Sequence, residues 1–147
     1  MGPGISERFS SRGAAFGDYD NDGDIDAVIL NMNDLPSLLR NDGGNKQNWV
    51  KIKLITTKCN RTAIGARLRV VTGKHAQMDE VHSGTSVMSQ SDLRLHFGIG
   101  KAQKVDLLEV KWPTTQKLER FTDVNANQIL TIREGSGIVA AVKPKTK

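Results

Sequence analysis

Apolar and polar residues alternate in short runs along most of this 147-residue chain. Residues 49–54, for example, would place Val50, Ile52 and Leu54 on one face of a strand and two lysines on the other. This period of two predicts strands, and no segment shows the sustained period of an amphipathic helix. Turn-forming residues separate the runs and bound nine predicted strands: 26–31, 36–40, 48–56, 66–72, 76–83, 93–97, 105–112, 117–121 and 127–133. Short strands with regular turns predict an all-β chain, an antiparallel β-sandwich or barrel-like domain.

One acidic segment, residues 18–26 (DYDNDGDID), interrupts the alternation. It places a carboxylate at every second position and Gly23 at the sixth, where a calcium loop needs a residue free to adopt positive φ. Ca²⁺ takes roughly 6–8 oxygen ligands, so a loop of this kind can supply most of them. Four residues would offer side-chain oxygens and the fourth Asp in sequence its backbone carbonyl, which makes the predicted calcium ligands Asp18, Asp20, Asp22, Asp24 and Asp26.

Two other interpretations of the acidic segment fit less well. A helical calcium hand requires a bidentate Glu at position 12, where this chain has Ile29, and the run that follows the loop is rich in β-branched residues. Mg²⁺ demands strict octahedral geometry and retains several waters, which favours Ca²⁺. A solvated acidic turn is the alternative that involves no metal.

Residues 15–26 (AFGDYDNDGDID) resemble the FG-GAP (VCBS-type) repeat of integrin-like β-propellers, whose inter-strand loop binds calcium. Further along, five stretches resemble the ASPIC/UnbV family, a module that follows FG-GAP repeats in secreted proteins: 41–44 (NDGG), 48–50 (NWV), 60–67 (NRTAIGAR), 89–100 (SQSDLRLHFGIG) and 110–113 (VKWP). The resemblance implies a partial propeller-blade hairpin followed by a β domain. The domains expected are a linker at 1–11, the repeat at 12–47, the β domain at 48–134 and a flexible basic tail at 135–147.

The same resemblance implies a secreted, extracellular or periplasmic setting and neighbouring propeller blades in a longer parent chain. The first residues lack the basic start and apolar stretch of a signal peptide, so we expect that signal to lie on a preceding part of the parent. No apolar run approaches the roughly 20 residues that span a bilayer. Cys59 has no second cysteine in the chain to pair with, and Asn60 begins a formal N-glycosylation triplet.

Charge is unevenly distributed along the chain. Residues 1–47 hold four basic and eight acidic residues, whereas residues 48–147 hold 17 basic and eight acidic ones. The basic part suggests a polyanion binder. However, its bases are scattered singly and only 5% of residues are aromatic, which argues against nucleic acid. For this basic part, an acidic polysaccharide or an acidic surface of a neighbouring domain fits better than nucleic acid.

Residues 82–100 are unusually polar and rich in glycine for a pair of structural strands. Five of their side chains could form a recognition surface: Ser89, Gln90, Asp92, Arg94 and His96. The alternative is that these side chains satisfy a turn and its neighbours by hydrogen bonds to the backbone. A hydrolytic or carbohydrate-processing role for the His82–His96 region is the rival function, although no histidine or serine there has diagnostic spacing. The preferred interpretation is a non-enzymatic, calcium-binding β module for adhesion-like extracellular interactions.

Overall fold

A computed structural model describes residues 8–58 and 61–144 of the chain. The first three strands form a small antiparallel sheet in the order β1-β2-β3, which we call the N-terminal sheet. Its strands are β1 (Ser11–Gly17), β2 (Asp26–Asn31) and β3 (Ser37–Leu39). The acidic segment is the connection between β1 and β2, so the two strands fix both of its ends.

The other eight strands form two four-stranded sheets. The second sheet has the order β11-β10-β4-β7, in which β10 and β4 are parallel and the other pairs antiparallel. Its strands are β4 (Asn48–Ile55), β7 (Leu95–Gly100), β10 (Gln128–Arg133) and β11 (Gly137–Val142). The third sheet is antiparallel in the order β6-β5-β8-β9, with β5 (Arg67–Thr72), β6 (His75–Glu80), β8 (Lys104–Lys111) and β9 (Leu118–Asn125).

The second and third sheets pack face to face as a sandwich around one apolar core. Alternate residues of each strand point inward, as the sequence pattern requires. The second sheet contributes Val50, Ile52, Leu54, Leu95, Phe97, Ile99, Leu130 and Ile132. The third sheet and its connections contribute Ala63, Ala66, Leu68, Val70, Val81, Val105, Leu108, Val110, Trp112 and Val124. Within the described ranges, no helix has the length and apolar content that crossing a membrane would require.

The predicted all-β sandwich is confirmed, and each of the nine predicted strands has a counterpart whose ends differ by up to four residues. Two strands were not predicted. β1 is rich in small residues, and at Gly13 an added β-carbon would meet Ser89 and the backbone of Val87, so a neighbouring segment explains the lack of bulk there. Residues 137–142, expected in a flexible tail, form β11 instead because they pair with β10.

Some sequence-based expectations concern residues outside the described ranges. These are the linker at 1–7, the thiol of Cys59, the glycosylation triplet at Asn60 and the last three residues of the basic tail. Residues 8–10 precede β1 without regular structure.

The core generates a direct stability prediction. Leu108 is fully buried, so Leu108→Ala should lower the free energy of unfolding by about 2–5 kcal/mol through lost transfer energy and a residual cavity. Leu118 lies on the adjacent strand and is 48% exposed, so Leu118→Ala should change it by about 0.5 kcal/mol or less. Urea unfolding of both variants tests the sandwich; equal losses would contradict the assigned core.

Candidate metal centre

The acidic loop brings three of its carboxylates together. Ligand oxygens of Asp18, Asp20 and Asp22 all lie within 4.8 Å of one another. Asp18 follows the last residue of β1, and Asp26 is the first residue of β2, so the hairpin returns both loop ends to one place. Most of the carboxylates are buried, with 1% of Asp18, 6% of Asp22, 1% of Asp24 and 3% of Asp26 exposed.

Asp18 organises the loop through its backbone amides. Its Oδ1 accepts the N–H of Asp22 at 3.1 Å and its Oδ2 the N–H of Gly23 at 3.1 Å. Oδ1 of Asp20 also lies 3.4 Å from the Asp22 nitrogen, and Oδ1 of Asp22 accepts the N–H of Asp24 at 2.9 Å. These bonds curl the chain so that the carboxylate oxygens of Asp18, Asp20 and Asp22 converge. The carboxylates of the other two predicted ligands, Asp24 and Asp26, are not part of that group.

Asp26 closes the loop from the other side. Its Oδ2 accepts the N–H of Tyr19 at 3.3 Å, and its Oδ1 accepts the N–H of Asn41 at 2.8 Å. The second bond ties the loop to the chain that leaves β3. The ninth position of the loop is therefore a structural carboxylate as well as a candidate ligand.

Gly23 meets two separate requirements. Its φ is +101°, a conformation that glycine adopts readily and L side chains rarely do. A β-carbon at this position would also overlap the indole ring of Trp49. The loop therefore needs glycine both for its turn and for its close packing on the sandwich.

The loop lies on the outer face of the second sheet, opposite the apolar core. Trp49 and Lys51 of β4 point to that face, yet they are only 3% and 0% exposed. The Trp49 ring stacks on His96 of β7, with centroids 5.5 Å apart and planes at 22°. This side of the sheet is therefore covered at the loop, and β4 is buried on both faces from Trp49 to Ile52.

Lys51 makes a buried ion pair with the loop, because its Nζ contacts Oδ2 of Asp18. The same nitrogen lies 5.8 Å from the Trp49 ring centroid. Burial lowers the pKa of Lys51, while the Asp18 carboxylate opposes that change by favouring the charged form. Nothing in the sequence distinguishes Lys51 from the exposed Lys53 two residues later, so the strand pattern alone does not predict this contact.

Arg94 provides a second cationic contact. One of its terminal nitrogens donates to Oδ1 of Asn21 at 2.6 Å and the other to the backbone oxygen of Asp18 at 3.0 Å. Its Nε donates to Oδ2 of Asp92 at 2.6 Å, and that carboxylate also accepts the Arg94 N–H at 3.0 Å. Arg94 thus connects the acidic loop to the segment that precedes β7.

Residues 86–94, which we call the strap, run along the edge of β1. Ser86 Oγ accepts the N–H of Ala14 and Ser91 Oγ that of Phe16, each at 3.2 Å. The Asp92 N–H donates to the Phe16 carbonyl at 2.8 Å. Hydroxyl and amide groups of the strap therefore form hydrogen bonds with backbone N–H and C=O groups at the β1 edge of the N-terminal sheet.

The five residues of the predicted recognition surface lie on the strap and on β7, and the structure engages them within the chain. Ser89 Oγ donates to the Val87 carbonyl at 2.9 Å, and Gln90 Oε1 accepts the Gly84 N–H at 2.9 Å. Asp92 and Arg94 contact the loop and β1, and His96 stacks on Trp49. These contacts match the alternative in which the polar side chains satisfy a turn and its neighbours.

His82 and His96 line one open cleft of about 410 Å³ between the N-terminal sheet and the sandwich, together with Asp79, Glu80 and Asp92. The structure thus brings together the groups of the hydrolytic alternative. However, burial lowers the pKa of His96 to about 4, assisted by the Lys51 charge and opposed by Asp18. Among the described residues, buried Nδ1 of His96 has no hydrogen-bond partner. A ring whose pKa lies this far below neutral pH is a weak general base.

The fold and site define a two-layer β-sandwich that carries an acidic loop on the outer face of one sheet. The chain belongs to the ASPIC and UnbV family, whose model matches residues 56–139. The predicted resemblance to that family is therefore confirmed. The FG-GAP-like repeat remains a prediction that rests on residues 12–47.

Cartilage acidic protein 1 of Xenopus tropicalis is similar to this chain, with 29% identity over 139 residues. That match takes in 90% of this chain, so it extends beyond the sandwich into the N-terminal sheet. The chain spans about a fifth of the length of this curated relative.

The His96 environment predicts a pH effect on stability. Its pKa falls from 6.5 in the unfolded chain to about 4 in the fold, so unfolding takes up a proton between these values. This contribution to stability is present above pH 6.5 and is lost as the pH falls toward 4. His96→Phe keeps a flat ring against Trp49 and removes the titration. Between about pH 7.5 and pH 5, the parent should lose about 1 kcal/mol more stability than this variant, after discounting for partial exposure.

The matched control for this experiment is His82→Phe, because His82 is exposed in the same cleft. Thermal melts at both pH values give the comparison. An identical pH dependence for His96→Phe and the parent would contradict the assigned burial of the ring.

Proposed function

We propose that this chain is a non-enzymatic, calcium-binding β module that mediates extracellular interactions with a protein or a polysaccharide. The observation that carries the proposal is the acidic loop, in which three carboxylates converge within 4.8 Å around a glycine turn. Bound calcium would hold the β1–β2 connection closed, so its binding energy would be measured as folding stability.

The donor chemistry of the loop supports calcium. Every candidate side-chain ligand is a carboxylate oxygen, the donor type that hard cations prefer. Lys51 and Arg94 bring two positive charges to the loop, against five carboxylates in residues 18–26. Like charges held together away from water are costly, and a divalent cation would compensate them. Five acidic residues in an irregular loop favour the adaptable coordination of Ca²⁺ over the strict octahedron of Mg²⁺.

The exposed apolar residues of the N-terminal sheet support a propeller context. Val28 and Leu38 are paired on one face and are 39% and 54% exposed, while Phe16 on the other face is 53% exposed. A sheet with apolar side chains open on both faces fits a blade whose neighbours would cover them. We therefore propose that neighbouring blades of a longer parent chain pack there, in keeping with the greater length of the Xenopus relative.

An extracellular setting and a non-enzymatic role complete the proposal. Calcium sites of extracellular modules work at high calcium concentrations, where moderate affinity is sufficient. The similarity to a protein named for cartilage and the ASPIC and UnbV membership support such a setting. The catalytic alternative is less well supported because Ser86 and Ser91 hydroxyls accept backbone N–H groups of β1.

The polyanion alternative is weakened by the pairing of bases on the third sheet. Arg69 and Arg120 both contact Glu109, each with an N–O distance of 2.8 Å, and Arg67 contacts Glu80 at 2.6 Å. These pairs reduce the positive charge that this face would present to a phosphate or sulfate group.

Calcium should raise the thermal midpoint of the chain, and Asp20→Ala or Asp22→Ala should abolish that rise. At a calcium concentration about 100 times the dissociation constant, the stabilisation should be about 2.7 kcal/mol, or several degrees. The measurement is thermal unfolding in EDTA and across a calcium series, with magnesium in parallel.

Asp34→Ala is the matched control, because Asp34 is an exposed acidic residue of the β2–β3 connection outside the loop. It should keep the full calcium response. The proposal fails if calcium leaves the parent midpoint unchanged, or if the two loop variants respond as strongly as the parent does.

A further inference from the structure

Two lysines of β4 point to the same outer face of the second sheet and differ completely in environment. Lys51 is fully buried and contacts Oδ2 of Asp18, whereas Lys53 is exposed. A buried lysine is rare unless it is paired, and here its partner is the first candidate ligand of the loop. The sandwich thus inserts a fixed positive charge into the candidate calcium site.

Arg94 approaches the loop from the strap. It donates to Asn21 Oδ1 and to the Asp18 carbonyl. A cation of the strap therefore holds both ends of the 18–21 segment of the loop. Lys51 precedes the strap by more than 30 residues in sequence, and the two cations reach the loop from different segments, Lys51 from β4 and Arg94 from the end of the strap before β7. We call Lys51 and Arg94 together the cation clamp.

We propose that the cation clamp, and Lys51 above all, acts as a built-in counter-ion that holds the acidic loop on the sandwich and limits its dependence on calcium. This inference rests on the proposed calcium function and concerns the regulation of that same site. Lys51 occupies the loop permanently because the chain positions it there, whereas calcium binds according to its concentration.

Calcium and Lys51 should oppose each other through Asp18. Calcium and the Lys51 ammonium would both contact the Asp18 carboxylate, and their like charges repel at short range. Each cation therefore stabilises the loop by a smaller free energy when the other is present, and linkage makes this coupling reciprocal. Removal of the Lys51 charge should destabilise the metal-free chain and enlarge the stabilisation that calcium provides.

The experiment compares the thermal midpoints of Lys51→Met and Lys53→Met in the full chain, in EDTA and in saturating calcium. Loss of one partner of a buried pair is strongly destabilising, so Lys51→Met should melt roughly 10 °C below the parent in EDTA. Lys53→Met should melt within about 2 °C of the parent. Calcium should raise the midpoint of Lys51→Met by more than that of Lys53→Met.

A double variant covers the case in which Lys51→Met does not fold. The reference for the double variant is Asp18→Asn alone, because Asn lacks one of the two oxygens that accept the Asp22 and Gly23 N–H groups. With no buried carboxylate left unpaired, Lys51→Met should lower the midpoint in EDTA by less in the Asp18→Asn background than in the parent, a difference that loss of lysine packing alone would not produce. Equal midpoints of Lys51→Met and Lys53→Met in EDTA, or the same loss from Lys51→Met in both backgrounds, would overturn the clamp.

The calcium measurements separate this inference from the proposed function. If calcium raises the midpoints of Lys51→Met and Lys53→Met by the same measurable amount, the clamp is wrong and the calcium site stands. If calcium raises neither these midpoints nor that of the parent, the calcium site is rejected, and the EDTA comparison decides whether Lys51 holds the loop by charge alone.

Discussion

The buried contact between Lys51 and Asp18 joins the sandwich to the acidic loop of the N-terminal sheet, and the attachment of the two depends on it. β4 lies inside the second sheet, between β10 and β7, and its two faces are buried for different reasons. Val50 and Ile52 enter the apolar core, while Trp49 and Lys51 support the acidic loop. A charge on a strand buried on both faces requires a partner, and the loop provides it. The N-terminal sheet is thus held on the sandwich by an ion pair and hydrogen bonds as well as by the packing of Gly23 on Trp49.

The composition of the strap follows from its position against β1. An edge strand presents unpaired N–H and C=O groups, and another strand is the usual means of satisfying them. Here an irregular segment satisfies them with the hydroxyls of Ser86 and Ser91 and the amide of Asp92. The close approach leaves no space for a side chain at Gly13. A polar segment rich in serine, which in sequence suggests a binding surface, can therefore be the seam between two parts of one protein.

The sequence predicted the features that follow from local pattern and missed those that depend on tertiary contact. Alternation identified the core face of β4, and the Asp spacing with Gly23 identified a loop that the structure shows to be curled around its carboxylates. The same alternation assigns Lys51 and Lys53 to one solvent-facing side, because burial by a distant loop leaves no periodic signal. β1 and β11 were missed for related reasons. β1 consists largely of small residues, which give no apolar alternation, and β11 forms because it pairs with β10.

The region matched by the family model does not coincide with the structural unit. The match begins at residue 56, yet β4 ends at Ile55 and is the strand that joins β10 to β7. Without β4 the second sheet would lose the strand that joins its halves and three of its eight core residues, Val50, Ile52 and Leu54. With β4 but without the N-terminal sheet, Trp49 and Lys51 would be exposed, and Arg94 would lose its contacts with the loop. The acidic loop and the sandwich therefore form one structural unit, because each supplies the groups that the other must bury.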